Sequence, residues 1–260
     1  MAIGDSATEG LQDFDENGAY RGWADRLAEH IAAAQDEPLE YANLAVRSLR
    51  LSEIRQTQFD RALAMQPDLM SIVGGVNDVL APRPDFGRIA VDFEHMFTEA
   101  TSRGITVFTF LMPDPSFLKP IGRYVRERAQ ILSDIALAAA RDAGVLVLDL
   151  ARYPVASDPR LWYEDRLHGN RLGHQRMAEA FADLLGYPGF DHWADPLPDP
   201  LPDPPVLERI ADDLDWAVHW FGPWLGRGLA RVPHGRGITA KRPNPEVVAV
   251  SRHALPAESN

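Results

Sequence analysis

Short apolar runs alternate with longer amphipathic runs from Met1 to about Gly186, and this alternation constrains the fold more than any other feature of the chain. The apolar runs are rich in Val, Ile, Leu and Phe and nearly continuous, which is typical of strands buried on both faces. A very short strand precedes residue 4. The clearer runs predict strands at Leu39–Leu44, Asp68–Val73, Ile105–Leu111 and Val145–Leu150.

The amphipathic runs place apolar residues at the 3.6-residue spacing of an α-helix. Strand–helix alternation predicts a parallel sheet with helices on both faces. Because crossovers between parallel strands are right-handed, few topologies remain, and we expect an α/β, flavodoxin-like three-layer sandwich with a five-stranded parallel sheet. The predicted helices are Ala19–Ala34, Arg88–Arg103, Arg123–Ala143 and Asn170–Leu185.

A proline-rich stretch separates this pattern from the C-terminal part of the chain. Ala194–Pro205 contains six prolines, which fix φ and remove backbone donors, so it predicts an extended linker. Beyond it, Val206–Leu225 has helical periodicity. The sequence therefore predicts a main domain at 1–190, a Pro/Asp-rich linker at 191–205 and a C-terminal helical extension with a disordered tail at 206–260.

Charge and composition exclude several classes of function. A net charge of −12 argues against nucleic-acid binding and against adsorption to anionic membranes. The chain has no cysteine, hence no disulfide and no thiolate chemistry. With no secretory pattern after Met1, we expect a cytoplasmic protein, although an authentic start further upstream that carries an export signal is an open alternative.

The C-terminal extension also bears on partners. Trp216, Trp220 and Trp224 recur at helical spacing, and basic residues follow them. This pattern favours packing onto the main domain or onto a second subunit, and contact with a lipid surface is the weaker alternative. The sequence leaves the oligomeric state open.

Polar motifs follow the predicted strands where each strand ends. In a parallel sheet these ends meet at one edge, where ligands bind. The motifs are Gly4-Asp5-Ser6, Asn43–Ser48, Gly74–Asp78 and Asp165–His168.

These residue types suit acyl transfer. A serine hydroxyl needs a base to take its proton, histidine is the natural base near neutral pH, and a carboxylate orients the imidazole. Ser6, His168 and Asp165 are therefore the predicted catalytic triad. An oxyanion also needs fixed donors, for which we predict the backbone N–H groups of Ser6 and Ser48 and the amide of Asn77.

At these motifs the chain resembles the SGNH hydrolases, also called the GDSL lipase/esterase family, over roughly residues 1–186. The resemblance implies that Ser6 is the nucleophile, Asn77 an oxyanion donor, His168 the base and Asp165 its carboxylate partner. Two positions depart from the family pattern: Ala7 replaces a leucine, and Ser48 occupies the position of the second-block glycine. A backbone donor survives at Ser48, but its side chain crowds the oxyanion position.

The predicted activity is hydrolysis of a carboxylic ester through an acyl-serine intermediate, without a metal or other cofactor. Acyl esters, thioesters, lysophospholipids and acetylated sugars all remain open as substrates. Residues on predicted loops near the site are candidates for an acyl pocket: Leu80, Met112, Phe117 and Leu118.

Two other functions compete with this one. A metal-dependent hydrolase would use oxygen and imidazole ligands from Asp5, Asn77, Asp78 and His168, but it leaves Ser6 without a role. A non-catalytic binding module is the other alternative, since a fold does not dictate a function.

Overall fold

A six-stranded sheet forms the centre of the computed structural model, which describes residues 1–115, 122–199, 201, 205–222 and 237–249. The strand order is β5-β4-β3-β1-β2-β6. The strands are β1 (Ala2–Ile3), β2 (Glu40–Asn43), β3 (Leu69–Ile72), β4 (Thr106–Leu111), β5 (Leu146–Asp149) and β6 (Arg242–Val247).

The first five strands are parallel and have the flavodoxin-like order, which confirms the fold class predicted from the sequence. β1 lies in the centre, where Ala2 pairs with Ser71 of β3 and with Asn43 of β2. A two-residue strand is viable there because neighbours on both sides satisfy its backbone groups. The central position of β1 places the residues that follow it in the middle of the carboxyl edge.

The sixth strand corrects the prediction of a five-stranded sheet and of a purely helical extension. β6 pairs antiparallel with β2, with Glu40 opposite Val247 and Asn43 opposite Arg242. Just before and at the start of this strand, Lys241 and Arg242 form ion pairs of 2.8 and 3.1 Å with the buried carboxylate of Asp25. The C-terminal region therefore contributes both a helix and an edge strand.

Helices cover both faces of the sheet. The helices are α1 (Ser6–Glu9), α2 (Gly22–Ala34), α3 (Leu51–Ile54), α4 (Asp60–Ala64), α5 (Val76–Val79), α6 (Phe86–Ser102), α7 (Gly122–Ala143), α8 (Arg171–Leu184) and α9 (Val206–Trp216). A π-helical turn at Arg55–Phe59 joins α3 to α4, a helical segment that was not predicted from the sequence. Short 3₁₀ turns follow β5, at Leu150–Arg152, Pro154–Ser157 and Pro159–Leu161.

Each face of the sheet has its own apolar core. α2 and α8 pack together on one face around Trp23, Phe108 and Phe181, all of which are nearly or fully buried. α6 and α7 pack on the other face, where Phe93 and Phe97 are buried beside the α3–α4 segment. Apolar burial on both faces is the main stabilising contribution and holds the carboxyl edge rigid.

α9 is followed by a π-helical turn at Ala217–Phe221, so the C-terminal helix was predicted at the correct place. Trp224, the last residue of the predicted Trp stripe, lies outside the described residues, as does most of the predicted tail. Among the helices that are described, none combines the length and apolar character needed to cross a bilayer.

Candidate active site

The turn after β1 presents Ser6 as the first residue of α1. Gly4 is held by Gln58, which accepts from the Gly4 N–H (2.8 Å) and donates to its carbonyl (2.9 Å). A Cβ at Gly4 would lie 2.7 Å from the Val73 carbonyl oxygen, so this turn requires glycine. The nucleophile candidate therefore stands on a tightly constrained backbone.

A chain of hydrogen bonds connects Ser6, His168 and Asp165. The Oγ of Ser6 lies 2.8 Å from Nε2 of His168, and Nδ1 of His168 lies 2.8 Å from Oδ2 of Asp165. The His168 and Asp165 side chains are only 14% and 12% exposed. Residues 162 positions apart in the chain thus meet in the arrangement that a Ser–His–Asp triad requires.

The loop that carries His168 is a tight turn. Oδ1 of Asp165 accepts from the N–H groups of Leu167 (2.9 Å) and His168 (3.0 Å), while Arg166 adopts a left-handed φ of 57°. Burial opposes ionisation of Asp165, but the hydrogen bonds and charge of His168 outweigh it and lower the pKa of the carboxyl. Asp165 is therefore ready to stabilise an imidazolium at neutral pH.

Two of the three predicted oxyanion donors have free backbone N–H groups. Within the described residues, no acceptor lies opposite the N–H of Ser6 or of Ser48. Ser48 has a φ of 67°, in the left-handed region that favours glycine, at the position where the resemblance expects glycine. The preceding Arg47 N–H donates to the buried carboxylate of Glu9 at 2.7 Å, which fixes this loop.

Asn77, the third predicted donor, has its amide engaged within the protein. Nδ2 donates to Oδ2 of Asp5 (3.1 Å) and to the carbonyl of Leu49 (3.0 Å). These acceptors hold the side chain at the site, but an oxyanion would have to share or replace one of them. The sequence did not reveal this competition, because it arises between residues from three separate strand ends.

Two carboxylates near Asn77, those of Asp5 and Asp78, have raised pKa values. Burial raises the pKa of Asp5 to about 6, although the Ala7 N–H, His168 and Asn77 all favour its charged form. Burial also raises the pKa of Asp78, whose Oδ2 accepts from the Leu51 N–H at 2.9 Å. Both side chains anchor loops, which agrees with a structural role for Asp78.

Two supporting residues escaped the sequence analysis. Gln58 has no motif around it that indicates a brace for the nucleophile turn. His174, on α8, is buried, and burial lowers its pKa to about 4. Its Nδ1 accepts from the Trp23 N–H (3.2 Å) and its Nε2 donates to the Leu11 carbonyl (2.8 Å), so it is a neutral structural histidine beside the site.

A narrow apolar pocket of about 90 Å³ adjoins His168. It lies between the carboxyl ends of β4 and β5 and the start of α8. Of the predicted acyl-pocket residues, Met112 lines it and Leu80 does not, while Phe117 and Leu118 lie outside the described residues. Its other apolar side chains include Phe110, Leu161, Trp162, Met177 and Trp193.

The alternative metal site has little support from the geometry. Both ring nitrogens of His168 face Ser6 and Asp165, and the Asn77 amide nitrogen, a donor, faces Asp5. Over the described ranges, no group of three or more His, Asp or Glu side chains is arranged to hold a metal ion.

The protein thus combines a mostly parallel α/β sheet with a Ser–His–Asp hydrogen-bond chain at its carboxyl edge. The GDSL-like Lipase/Acylhydrolase family matches residues 2–176, about two thirds of the chain. The chain belongs to this family and is therefore a hydrolase, as the motifs indicated.

Solved structures agree on the fold. An α/β hydrolase from the metagenome of Lake Arreo, Spain, superposes with a TM-score of 0.59 at 19% identity, covering 72% of this chain and 94% of that one. An acetylxylan esterase from Geobacillus stearothermophilus gives 0.56 at 16% identity, with 71% and 92% covered. The psychrotrophic esterase EstA from Pseudoalteromonas sp. gives 0.55 at 15% identity, with 71% and 94% covered. A search of curated proteins found no match.

Proposed function

We propose that the protein hydrolyses carboxylic esters through an acyl-serine intermediate, with Ser6, His168 and Asp165 as the triad. The observation that carries this proposal is the 2.8 Å contact between Oγ of Ser6 and Nε2 of His168, backed by Asp165. A histidine within hydrogen-bond reach of a serine, itself oriented by a carboxylate, is the arrangement that activates a hydroxyl. Family membership and the esterase neighbours support the reaction class.

In the first half-reaction, Oγ of Ser6 attacks the ester carbonyl carbon while its proton passes to Nε2 of His168. The tetrahedral intermediate places its negative oxygen toward the free N–H groups of Ser6 and Ser48. Collapse breaks the bond to the alkoxy oxygen, which leaves as the alcohol with the proton from His168. Asp165 holds the imidazolium that exists between these two events.

In the second half-reaction, water replaces the alcohol. His168 removes a proton from the water, the hydroxide oxygen attacks the acyl carbon, and collapse returns the proton through His168 to Oγ of Ser6. The carboxylic acid leaves, and the protein is restored with no net change.

The test is covalent labelling combined with turnover. Wild-type protein should react with a fluorophosphonate at Ser6, identified by mass spectrometry, and should hydrolyse nitrophenyl esters without added metal and in the presence of a chelator. Ser6→Ala should lose both, while Ser102→Ala, an exposed serine at the end of α6, should keep both. Chelator-sensitive turnover that survives in Ser6→Ala would instead indicate the metal-dependent alternative, and no turnover of any ester would favour a binding module.

A further inference from the structure

The pocket beside His168 carries an inference about the substrate, and it rests on the function proposed above. Its wall is apolar almost throughout, and most of its polar side chains already have partners within the described residues. The exception is the buried indole N–H of Trp23, which has none. Both ring nitrogens of His174 are bonded, as noted, and the indole N–H groups of Trp162 and Trp193 donate to the Ala156 carbonyl (3.0 Å) and to Asp183 (3.1 Å). Arg176, at its rim, donates to the His192 carbonyl at 2.6 Å.

This wall selects against hydroxyl-rich groups. A sugar ring carries several hydroxyls, and the single indole N–H of Trp23 could pair with only one of them. The others would lack hydrogen bonds, and each unpaired buried polar group costs about 1–3 kcal/mol. An aliphatic chain loses nothing there and gains from leaving water. The chemistry of the pocket therefore suits a hydrocarbon arm.

The volume sets the length of that arm. An apolar cavity of about 150 Å³ takes benzene, which has six carbon atoms. By proportion, the 90 Å³ pocket takes about three or four carbons. We propose that one arm of the ester, a straight hydrocarbon chain of about this length, binds in this pocket beside His168.

Two ester series distinguish which arm it is. One varies the acyl chain from acetyl to decanoyl with nitrophenol as the leaving group, and the other varies the alcohol from methyl to octyl with an acetyl group held constant. We expect kcat/KM to peak at a short chain in one series and to change little in the other. Rates that keep rising to decanoyl or octyl, or that ignore length in both series, would overturn the assignment.

Variants of the lining sharpen the test. Met177→Ala should shift the optimum to longer chains, and Ala156→Leu should shift it to shorter ones, because both residues line the pocket. Met65→Ala, a half-buried methionine that packs against the core on the other face, is the matched control and should leave the optimum unchanged. Fluorophosphonate labelling of Ser6 in every variant separates a failed pocket from a failed function. If a variant is labelled at Ser6 but its optimal chain length does not shift, the pocket assignment is contradicted and the proposed function is not.

α9 lies outside the family match, which ends at residue 176, yet it contacts the loop that carries Asp165. The indole N–H of Trp216 donates to the backbone carbonyl of Asp165 at 2.9 Å, and Trp216 is only 6% exposed. Arg166, the next residue of the loop, donates to Oδ1 of Asp213 (2.6 Å) and to the Asp212 carbonyl (3.2 Å). Its guanidinium also lies over the Trp216 ring, 5.4 Å from the ring centroid.

Among the large apolar side chains of α9, Trp216 alone is buried. The other large apolar side chains along α9 are 51–81% exposed: Val206, Leu207, Ile210 and Leu214. α9 and the π-helical turn after it both contact the loop that carries Asp165 and His168. In that turn, the Trp220 ring packs edge-on against Tyr163 of the loop. The helix therefore contacts the loop whose geometry sets the position of His168 relative to Ser6.

We infer that Trp216 is a positioning residue, which acts through the Asp165 backbone to hold His168 in line with Ser6. Small displacements of a catalytic group lower the rate of the chemical step more than they weaken binding. Trp216→Phe keeps the ring and removes the donor, so we expect kcat and the rate of Ser6 phosphonylation to fall by about tenfold, with KM changed less than about twofold. Asp213→Asn, which loosens Arg166, should have a smaller effect in the same direction.

Tyr41→Phe is the matched control. Tyr41 is 7% exposed, and its hydroxyl donates to Asp25 (3.0 Å) and accepts from the amide of Asn43 (3.0 Å). Neither partner belongs to the loop that carries Asp165 and His168. Tyr41→Phe should lower the unfolding midpoint about as much as Trp216→Phe does, and it should leave kcat unchanged. Equal kcat in Trp216→Phe and wild type, or equal losses of kcat in the two variants, would overturn the positioning role.

Discussion

The two sides of the active site hold their reactive groups by different means. On the nucleophile side, Ser6 follows directly from the central strand, and Gln58 and a required glycine fix the backbone. On the base side, His168 sits in a loop well beyond β5, which is held by its own turn and by α9. The position of Ser6 is therefore set by the sheet. The position of His168 depends on local hydrogen bonds and on α9, which lies outside the family match.

The carboxylates of the two sides differ in the same sense. Burial dominates at Asp5 and raises its pKa to about 6, whereas hydrogen bonds and the charge of His168 dominate at Asp165 and lower its pKa. Ionisation of Asp5 therefore lowers the stability of the folded protein, whereas the surroundings of Asp165 stabilise its charged form. The contrast teaches that, of the two carboxylates, the one proposed to act in catalysis is the one whose surroundings favour its charged form.

The largest effect is expected on the base side. Asp165→Asn keeps the shape of the loop but no longer holds the correct imidazole tautomer, so kcat should fall by about 10⁴-fold. Ester turnover with purified variants measures it, and the far-UV circular dichroism should match wild type. A loss of less than tenfold would mean that Asp165 does not orient His168.

On the nucleophile side, Asn77→Ala should lower kcat by about 10²–10³-fold if its amide turns to the oxyanion during reaction. The amide already donates to Asp5 and Leu49, so the same variant tests whether it leaves them. A variant with lowered stability and unchanged kcat would assign Asn77 to loop anchoring alone.

A smaller effect distinguishes the two carboxylates by pH. Because the folded pKa of Asp5 is raised, ionisation of Asp5 removes stability as pH rises from about 4 to about 6, and the loss is complete above that range. The free energy of unfolding of Asp5→Asn, relative to wild type, should therefore increase across this window and then level off. Urea unfolding from pH 4 to 8 measures it, and a flat difference would contradict the raised pKa.

The opposite sign is expected at Asp165. Its folded pKa is lowered, so its contribution to stability is present above the unfolded value near 3.8 and is lost as pH falls further. Urea unfolding extended from pH 4 down to about pH 2.5 should therefore show that the free energy of unfolding of Asp165→Asn, relative to wild type, increases as pH falls. A relative free energy that stays flat or decreases as pH falls would remove the contrast with Asp5.

The smallest effect is expected at Ser48. Glycine relieves the left-handed φ but adds freedom to the unfolded chain, so Ser48→Gly should change the free energy of unfolding by less than about 1 kcal/mol. Removing the side chain opens the space beside the free N–H, so kcat should stay equal or rise. A clear fall in kcat would mean that the Ser48 hydroxyl itself contributes.

The sequence predicted what depends on local pattern. Apolar runs located the first five strands to within about two residues, and the crossover rule predicted their flavodoxin-like order. The motifs at the strand ends located the candidate site residues Ser6, Ser48, Asn77 and His168. The roles of these residues remain predictions until the variants are measured.

The features that were not predicted depend on contacts between residues far apart in the chain, and the periodicity of the sequence does not indicate such contacts. β6 contains Pro243 and Pro245, which argue against a strand, yet an edge strand tolerates them. The contact between Trp216 and Asp165, like the brace from Gln58, joins residues about 50 positions apart with no motif at either end. The engaged amide of Asn77 has the same origin.

The C-terminal strand also has a consequence for making fragments of this protein. Removing everything after residue 190 would expose the backbone donors and acceptors of β2 along its whole outer side, and unpaired edges recruit strands from other molecules. β6 covers that edge and ends the sheet with two prolines, which have no N–H to offer a newcomer. A shortened protein is therefore expected to aggregate at concentrations where the 260-residue chain stays dispersed.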